Sequence, residues 1–445
     1  MIRLASVLML MLGSSAPAAG ADSHWVVSWT GSAHGPYPSG NSLAQPELKA
    51  VFPDRAAGAR DQSFRLIVRP ELWGCQARLR FSNAFCSQPV TFADVQVGLQ
   101  QAGATVSPGT SRAVAFGGKR RVTVAPGKQA FSDPVDLPFA CGAGATAVSG
   151  RKLAVSFHVP GSSGPMTWHA KALQTSYVSP PGAGSHGADE SEAGFPFSTT
   201  SWFFLDAIEM NMPADAFAIV AFGDSITDGT NSTLNGDDRW PDVLGRRLRA
   251  TLGNRVAVVN AGIGGNQVIG PARYSRAQPV SGGPSALDRL DRDVLSLSGV
   301  AAVIWLEGIN DLGGENATAD QVATGLKAGV ARMRAARPGL RVFGATVTTA
   351  LAAAEGRYGH REVDAQRKQL NAFIRKAPWF DGVLDFDRAV LDPLTGRLRP
   401  EMAHDTTVGG EGDGIHPNRL GYQAMAMSPD LGLFKTLAAP RTASR

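Results

Sequence analysis

Two rhythms of apolar and polar residues divide the chain. From residue 24 to about residue 212, apolar and polar positions alternate in short runs, the period-two pattern of strands with one face buried. Ser63-Phe64-Arg65-Leu66-Ile67-Val68-Arg69 and Ala77-Arg78-Leu79-Arg80-Phe81 are examples, and further strands are predicted over 95–99, 121–124, 153–159 and 202–208. Clusters of Gly, Pro, Ser and Asn separate them, and no long amphipathic helix is predicted in this half. Many short strands between turn signals predict an antiparallel β-sandwich of jelly-roll type. The stretch 180–194, rich in Gly, Ser and acidic residues, reads as a mobile loop.

After Pro213 the rhythm changes. Short apolar runs at 217–222, 256–259, 300–306, 341–347 and 383–386 each suit a strand buried on both faces. Helical stretches lie between them, over 240–252, 286–296, 319–336 and 361–377, with a last helix from about 419. Strands alternating with helices predict an α/β fold: a parallel sheet with helices on both faces. The expected organisation is a β-sandwich over 22–212, an α/β domain over 213–437 and a tail over 438–445. Ligands of such sheets bind beyond the carboxyl ends of the strands, which is where chemistry is to be sought.

Composition narrows the classes. The 445 residues are 43% hydrophobic and 18% charged, enough for sizeable cores, and the net charge is +5. The basic residues are scattered, and clusters such as Lys119-Arg120-Arg121 are too short for a nucleic-acid face, so no nucleic-acid partner is expected. At the start, Arg3, the apolar run from Leu4 to Leu12 and Ala19-Gly20-Ala21 read as an export signal over 1–21, with Asp22 opening the mature chain. That run is too short to span a bilayer and no other segment is long enough. A secreted or periplasmic protein without a membrane span is expected.

The three cysteines allow one disulfide in an oxidising compartment. Extended chain from Cys75 to Cys86 would cover about 35 Å, whereas disulfide Cα atoms lie within roughly 7 Å. Pairing through Cys141 is therefore favoured, with three free thiols as the alternative. No metal-binding spacing is present, and no metal or organic cofactor is expected.

Four loops at one rim of the predicted sheet carry the candidate chemistry: Phe222-Gly223-Asp224-Ser225-Ile226-Thr227-Asp228-Gly229, Asn260-Ala261-Gly262-Ile263-Gly264-Gly265-Asn266, Glu307-Gly308-Ile309-Asn310-Asp311 and Asp413-Gly414-Ile415-His416-Pro417-Asn418. A serine hydroxyl needs a base to become a nucleophile. His416 can take that proton and return it to the leaving group. Asp413, three residues earlier, can fix the imidazole's tautomer. The Ser225 backbone N–H, a backbone N–H from the Gly264-Gly265 turn and the Asn310 amide can serve as oxyanion donors. Gly264 and Gly265 compete for that role, and counting from Asn260 favours Gly265.

These four segments resemble the sequence blocks of the SGNH hydrolases, the GDSL esterase/lipase superfamily, over about residues 214–430. The resemblance implies a flavodoxin-like three-layer α/β/α domain. It also implies Ser225 as nucleophile, His416 and Asp413 as base and orienter, and Ser225, Gly265 and Asn310 as the oxyanion hole. Ile226 replaces the leucine of the GDSL name, a small apolar exchange. Within the superfamily the blocks look most like exported bacterial members with a strand-rich accessory region, often esterases of decorated polysaccharides. The implied activity is hydrolysis of a carboxylic ester, on a small molecule or a polysaccharide, through an acyl-enzyme. An acetyl group on a carbohydrate is the favoured substrate. The alternatives are a broad short-chain esterase or lipase, an acyltransferase, and a polysaccharide-binding protein with a vestigial hydrolase domain.

The same residues also have blander uses. Ser225 alone could be a helix N-cap. The glycine turn matches neither a dinucleotide nor a Walker motif. Thr227 stands where an α/β-hydrolase elbow would have glycine. His404 reads as a surface or substrate-edge residue and His169 as a packed core or interface histidine. Trp25, Trp29, Trp73, Trp168 and Trp202 read mostly as core, with a sugar-stacking face as the alternative.

Overall fold

Strand Phe217–Gly223 is buried along its whole length, which is why its sequence shows no alternation. In the computed structural model, which describes residues 23–39, 48–354, 357–405 and 410–438, it lies inside a parallel sheet. The order is Val256–Gly262, Phe217–Gly223, Val300–Leu306, Arg341–Ala345 and Val383–Leu384, the doubly wound 2-1-3-4-5 arrangement of flavodoxin-like folds. The order reverses between the first and third of these strands in the chain, and the crevice beyond their carboxyl ends is where the four loops emerge. The predicted export segment and residues 439–445 of the tail lie outside the described residues.

The helices form where the sequence places an apolar stripe and a cap. Ala319–Ala336 buries Val322, Leu326, Val330 and Met333, and a Thr318/Gln321 capping box starts it. Three predicted elements come out shorter, each for a local reason. The strand over 341–347 ends at Ala345, and the Asn371 side-chain oxygen accepts the Val347 N–H at 2.7 Å in place of a ladder partner. The strand over 383–386 ends at Leu384, because Asp385 turns to cap Phe386–Val390. The helix over 286–296 is an α turn, Ala286–Leu290, followed by a wider π turn, Asp291–Leu295, in which Arg289 and Arg292 both close on Asp293.

The N-terminal half consists mostly of antiparallel sheets. Its first strand, Ser23–Thr30, pairs with its last, Leu205–Pro213, so that Ser23 stands opposite Pro213. Gln76–Ser82 continues this sheet. A second sheet runs Phe197–Thr199, Ser176–Val178, Arg60–Val68, Leu153–Ser162 and Val90–Ala102. Phe64, Phe81, Phe92, Phe157 and Phe204 fill the space between them, with Phe81 meeting Phe157 edge-on at 5.2 Å.

The strand predicted over 202–208 is broken at Phe204, whose φ of +62° turns the chain. Trp202–Phe203 joins a small third sheet with Thr167–His169 and Gly35–Pro36 before the chain crosses to Leu205–Pro213. The loop 180–194 is pinned rather than loose. Buried Arg65 donates to the carbonyls of Ser191 and Asp189, and Ser63 Oγ donates to Gly184 O at 2.9 Å.

Cys75 and Cys141 are disulfide-bonded, with Cα atoms 4.5 Å apart, and Cys86 is free and buried. Trp29, Trp73, Trp168 and Trp202 are buried, which leaves them no sugar-stacking face. The two halves are bonded directly: Val27 N–H donates to Ser298 O at 3.0 Å, and Thr30 Oγ1 donates to Asn260 O at 3.1 Å. Arg69 pairs with Asp242 at 2.9 Å, and Asn254 exchanges two hydrogen bonds with the Trp73 backbone.

Candidate active site

Ser225 opens a one-turn helix, Ser225–Asp228, immediately beyond its strand. Asp224 caps that turn by accepting the Ile226 N–H at 2.9 Å, and Gly229, left-handed at φ +100°, ends it. The turn packs so tightly on the neighbouring strand end that a Cβ on Gly262 would stand 2.2 Å from Asp228 N. Only glycine permits that approach.

His416 reaches this serine from the far end of the chain. Its Nε2 is 2.7 Å from Ser225 Oγ and its Nδ1 is 2.6 Å from Asp413 Oδ2. A carboxylate can only accept, so Nδ1 carries the proton and Nε2 is left bare to accept the serine O–H. Asp413 also accepts the backbone N–H groups of Ile415 and His416, at 3.0 and 2.9 Å. Burial alone would raise the Asp413 pKa. The hydrogen bond and charge of His416 and the two backbone N–H groups outweigh it and hold Asp413 well below the usual carboxylate range.

Gly264 and Gly265 are distinguished by their partners. The Gly264 N–H donates to Asp228 Oδ2 at 2.9 Å and is spent. Gly265 is left-handed, at φ +82°, and among the described residues neither its N–H nor that of Ser225 has a hydrogen-bond partner. Asn310, at 6% exposure, donates from Nδ2 to Asn266 O at 2.9 Å, which leaves the second Nδ2 hydrogen unassigned. Tyr358 O–H donates to Asn310 Oδ1 at 2.9 Å and so fixes which way the amide faces. Sequence reasoning did not find Tyr358; it lies in a loop, 48 residues from its partner.

Beneath these loops lies a buried polar layer. Arg289 donates to Asn266 Oδ1, Ala261 O, Gly223 O and Asp293 Oδ2 at 2.6 to 3.0 Å and lies 4.1 Å from the Phe222 ring centroid. Asp311 accepts the N–H groups of Val268 and Ile269, at 2.9 and 3.0 Å, fastening the loop after Gly265. Burial pushes Asp224 up to about 7 and Glu307 up to about 8, with the Asp224 charge adding to the effect on Glu307. Each keeps one carboxyl oxygen with no hydrogen-bond partner among the described residues.

These raised values carry a pH dependence. The unfolded chain ionises both groups above their ordinary pKa near 4, while the folded chain holds their protons to about 7 and 8. The stability they contribute is full below pH about 4 and is lost as pH rises through 7 and 8, at up to about 1.4 kcal/mol per pH unit per group. Thermal unfolding at pH 5, 7 and 9 should therefore show a falling Tm, and Glu307→Gln should flatten the fall. An equal slope in wild type and variant would contradict this.

Among the described residues, no group of three or more His, Cys, Asp or Glu side chains stands together to hold a metal ion, and no helix is long and apolar enough to cross a membrane.

Residues 221–424 match the GDSL-like Lipase/Acylhydrolase family. No curated protein matches the chain. Similar solved structures include a carbohydrate acetylesterase family member from Sinorhizobium meliloti, at 15% identity and TM-score 0.38, covering 50% of this chain and 100% of that one. A GDSL-like lipase from Bacteroides thetaiotaomicron has 21% identity and TM-score 0.35, covering 49% and 88%. The native aryl esterase of M. smegmatis has 16% identity and TM-score 0.37, covering 48% and 95%. The α/β part of this chain is thus similar, over residues 221–424, to the GDSL-like lipase/acylhydrolase family.

Proposed function

We propose that the chain is an exported serine esterase that removes short acyl groups, acetyl above all, from carbohydrates. The observation that carries this reading is the unbroken hydrogen-bonded row from Asp413 through His416 to Ser225, together with two backbone N–H groups, of Ser225 and Gly265, without partners among the described residues. Ser225 Oγ attacks the ester carbonyl while His416 Nε2 takes its proton, and Asp413 steadies the resulting imidazolium. The N–H groups of Ser225 and Gly265 and the second Asn310 Nδ2 hydrogen meet the oxyanion. The alcohol leaves with the proton from His416. Water, deprotonated by the same nitrogen, then attacks the acyl-enzyme and frees Ser225.

Polar groups at the site support a carbohydrate ester over a long-chain lipid: His416 and Asp413 line up on Ser225, and Tyr358 holds the Asn310 amide. The Cys75–Cys141 disulfide suits an oxidising compartment, which supports export.

A serine-reactive phosphonate should label Ser225, and Ser225→Ala should abolish hydrolysis of p-nitrophenyl acetate. Activity should fall as the acyl chain of p-nitrophenyl esters lengthens, and acetylated xylan or pectin should release acetate. Full activity in Ser225→Ala would refute the assignment of the nucleophile. A preference for octanoate over acetate would refute the substrate class.

A further inference from the structure

Asp228 is the last residue of the serine helix, fully within the α/β half, yet its carboxylate is gripped from the other half. His169, on the small third sheet, brings Nε2 within 3.1 Å of Asp228 Oδ1, with both side chains at most 4% exposed. The other ring nitrogen of His169 is 2.7 Å from the Ser32 carbonyl, which can only accept, so that nitrogen carries a proton. Nε2 faces the Asp228 carboxylate at ion-pair distance without an aligned hydrogen bond, and a carboxylate on one side with a carbonyl on the other favours the protonated ring. Burial opposes the charge, but Asp228 outweighs it and raises the pKa of His169.

Lys171, two residues on, is also buried, and its ammonium reaches Thr230 Oγ1 at 3.3 Å. Its stem passes Gly264, where an added Cβ would lie 3.6 Å from Lys171 Cδ. His34 completes the cluster as a neutral ring. Burial and the neighbouring His169 charge push it down to about 3, and its Nε2 accepts the Ala170 N–H at 2.9 Å.

The second oxygen of Asp228 is the acceptor for the Gly264 N–H. The next peptide along carries the Gly265 N–H. A buried charge pair that spans two domains and ends on the loop presenting an oxyanion donor is more than an interface contact. We propose that the N-terminal β half is part of the catalytic apparatus: His169, assisted by Lys171, holds the Asp228 carboxylate, and Asp228 holds the Gly264 N–H so that the Gly265 N–H faces the oxyanion. His169 and Asp228 are thus positioning residues for the reaction. The β half also supports the loop from its opposite side, since a Cβ on Gly283 would stand 2.7 Å from His34 O, and one on Gly282 would stand 2.1 Å from Gly265 O. The proposal rests on the reading of Gly265 as an oxyanion donor.

The test uses the full-length chain with p-nitrophenyl acetate. His169→Gln and Asp228→Asn keep the size of each side chain and remove its charge. Each is expected to lower kcat by about 10–100-fold, a part of what losing a whole oxyanion donor costs, with KM nearly constant. The double variant should be no slower than the slower single, because both changes break one linkage. Asn254→Ala, which cuts a different contact between the halves just before the strand Val256–Gly262 that leads to the glycine turn, should lower Tm and leave kcat unchanged. If His169→Gln fails to fold, Asp228→Asn and Lys171→Met carry the same test. Unchanged kcat in the folded variants, multiplicative losses in the double variant, or an equal loss in Asn254→Ala would each overturn the proposal. Activity remaining in Ser225→Ala would instead overturn the assignment of the nucleophile, and would leave the His169 result to be read on its own.

Discussion

His416→Ala should lower kcat/KM toward p-nitrophenyl acetate by at least about 10³-fold, with KM little changed. The loss falls on kcat because the imidazole meets the serine proton rather than the resting ester. His416 Nε2 stands 2.7 Å from Ser225 Oγ, and among the described residues no other side chain is hydrogen-bonded to that hydroxyl. Groups that act as one unit do not lose activity additively. Ser225→Ala combined with His416→Ala should therefore be no slower than either alone. Full activity in His416→Ala, or a double variant slower by the product of the two losses, would contradict the assignment. Asp413 stays a carboxylate far below neutral pH, so it should add no titration of its own to the neutral range of the pH–rate profile.

Arg289→Ala should cost about 3–5 kcal/mol of stability, the usual penalty for removing one partner of a buried ion pair. At about 2–4 °C per kcal/mol for a domain of this size, Tm should fall by roughly 6–20 °C. Its side chain is 0% exposed and leaves four acceptors behind: the Asp293 carboxylate, the Asn266 amide oxygen, and the carbonyls of Gly223 and Ala261. Two of those carbonyls terminate the strands that carry Ser225 and the glycine turn, so kcat should fall as well. By contrast, loss of the exposed Arg255–Asp215 pair should be nearly silent. A Tm within 2 °C of wild type for Arg289→Ala would show that the layer repacks.

The sheet of the α/β half was legible because strands buried on both faces leave uninterrupted apolar runs, and Phe217–Gly223 and Val300–Leu306 do so along their entire length. The Asp413–His416 pair was legible because three residues separate two groups that must touch, and a turn of that span brings them together. What escaped notice shares a different property: each group acts on a partner distant in the chain and belongs to a residue type that reads as surface. Arg289, inside an amphipathic helical pattern, looked solvated. Lys171 is 59 residues from the Thr230 it reaches, and His169, read as a core or interface histidine, is 59 residues from Asp228, a partner that no periodicity encodes. Tyr358 sits in a loop, 48 residues from the Asn310 it orients, with no pattern to mark it. The broken strand at Phe204 was missed because the apolar run from Trp202 to Leu205 continues through the residue that turns the chain.

The unpaired thiol of Cys86 has a practical consequence. It is 4% exposed, burial raises its pKa, and its sulfur lies 3.5 Å from the hydroxyl of Thr167, the residue that begins the strand bearing His169. A thiol so shielded reacts with an alkylating reagent only while its surroundings come apart. The native chain therefore contains its own timer: the rate at which iodoacetamide consumes this sulfur counts how often the segment reaching across to the serine lets go, with no label introduced.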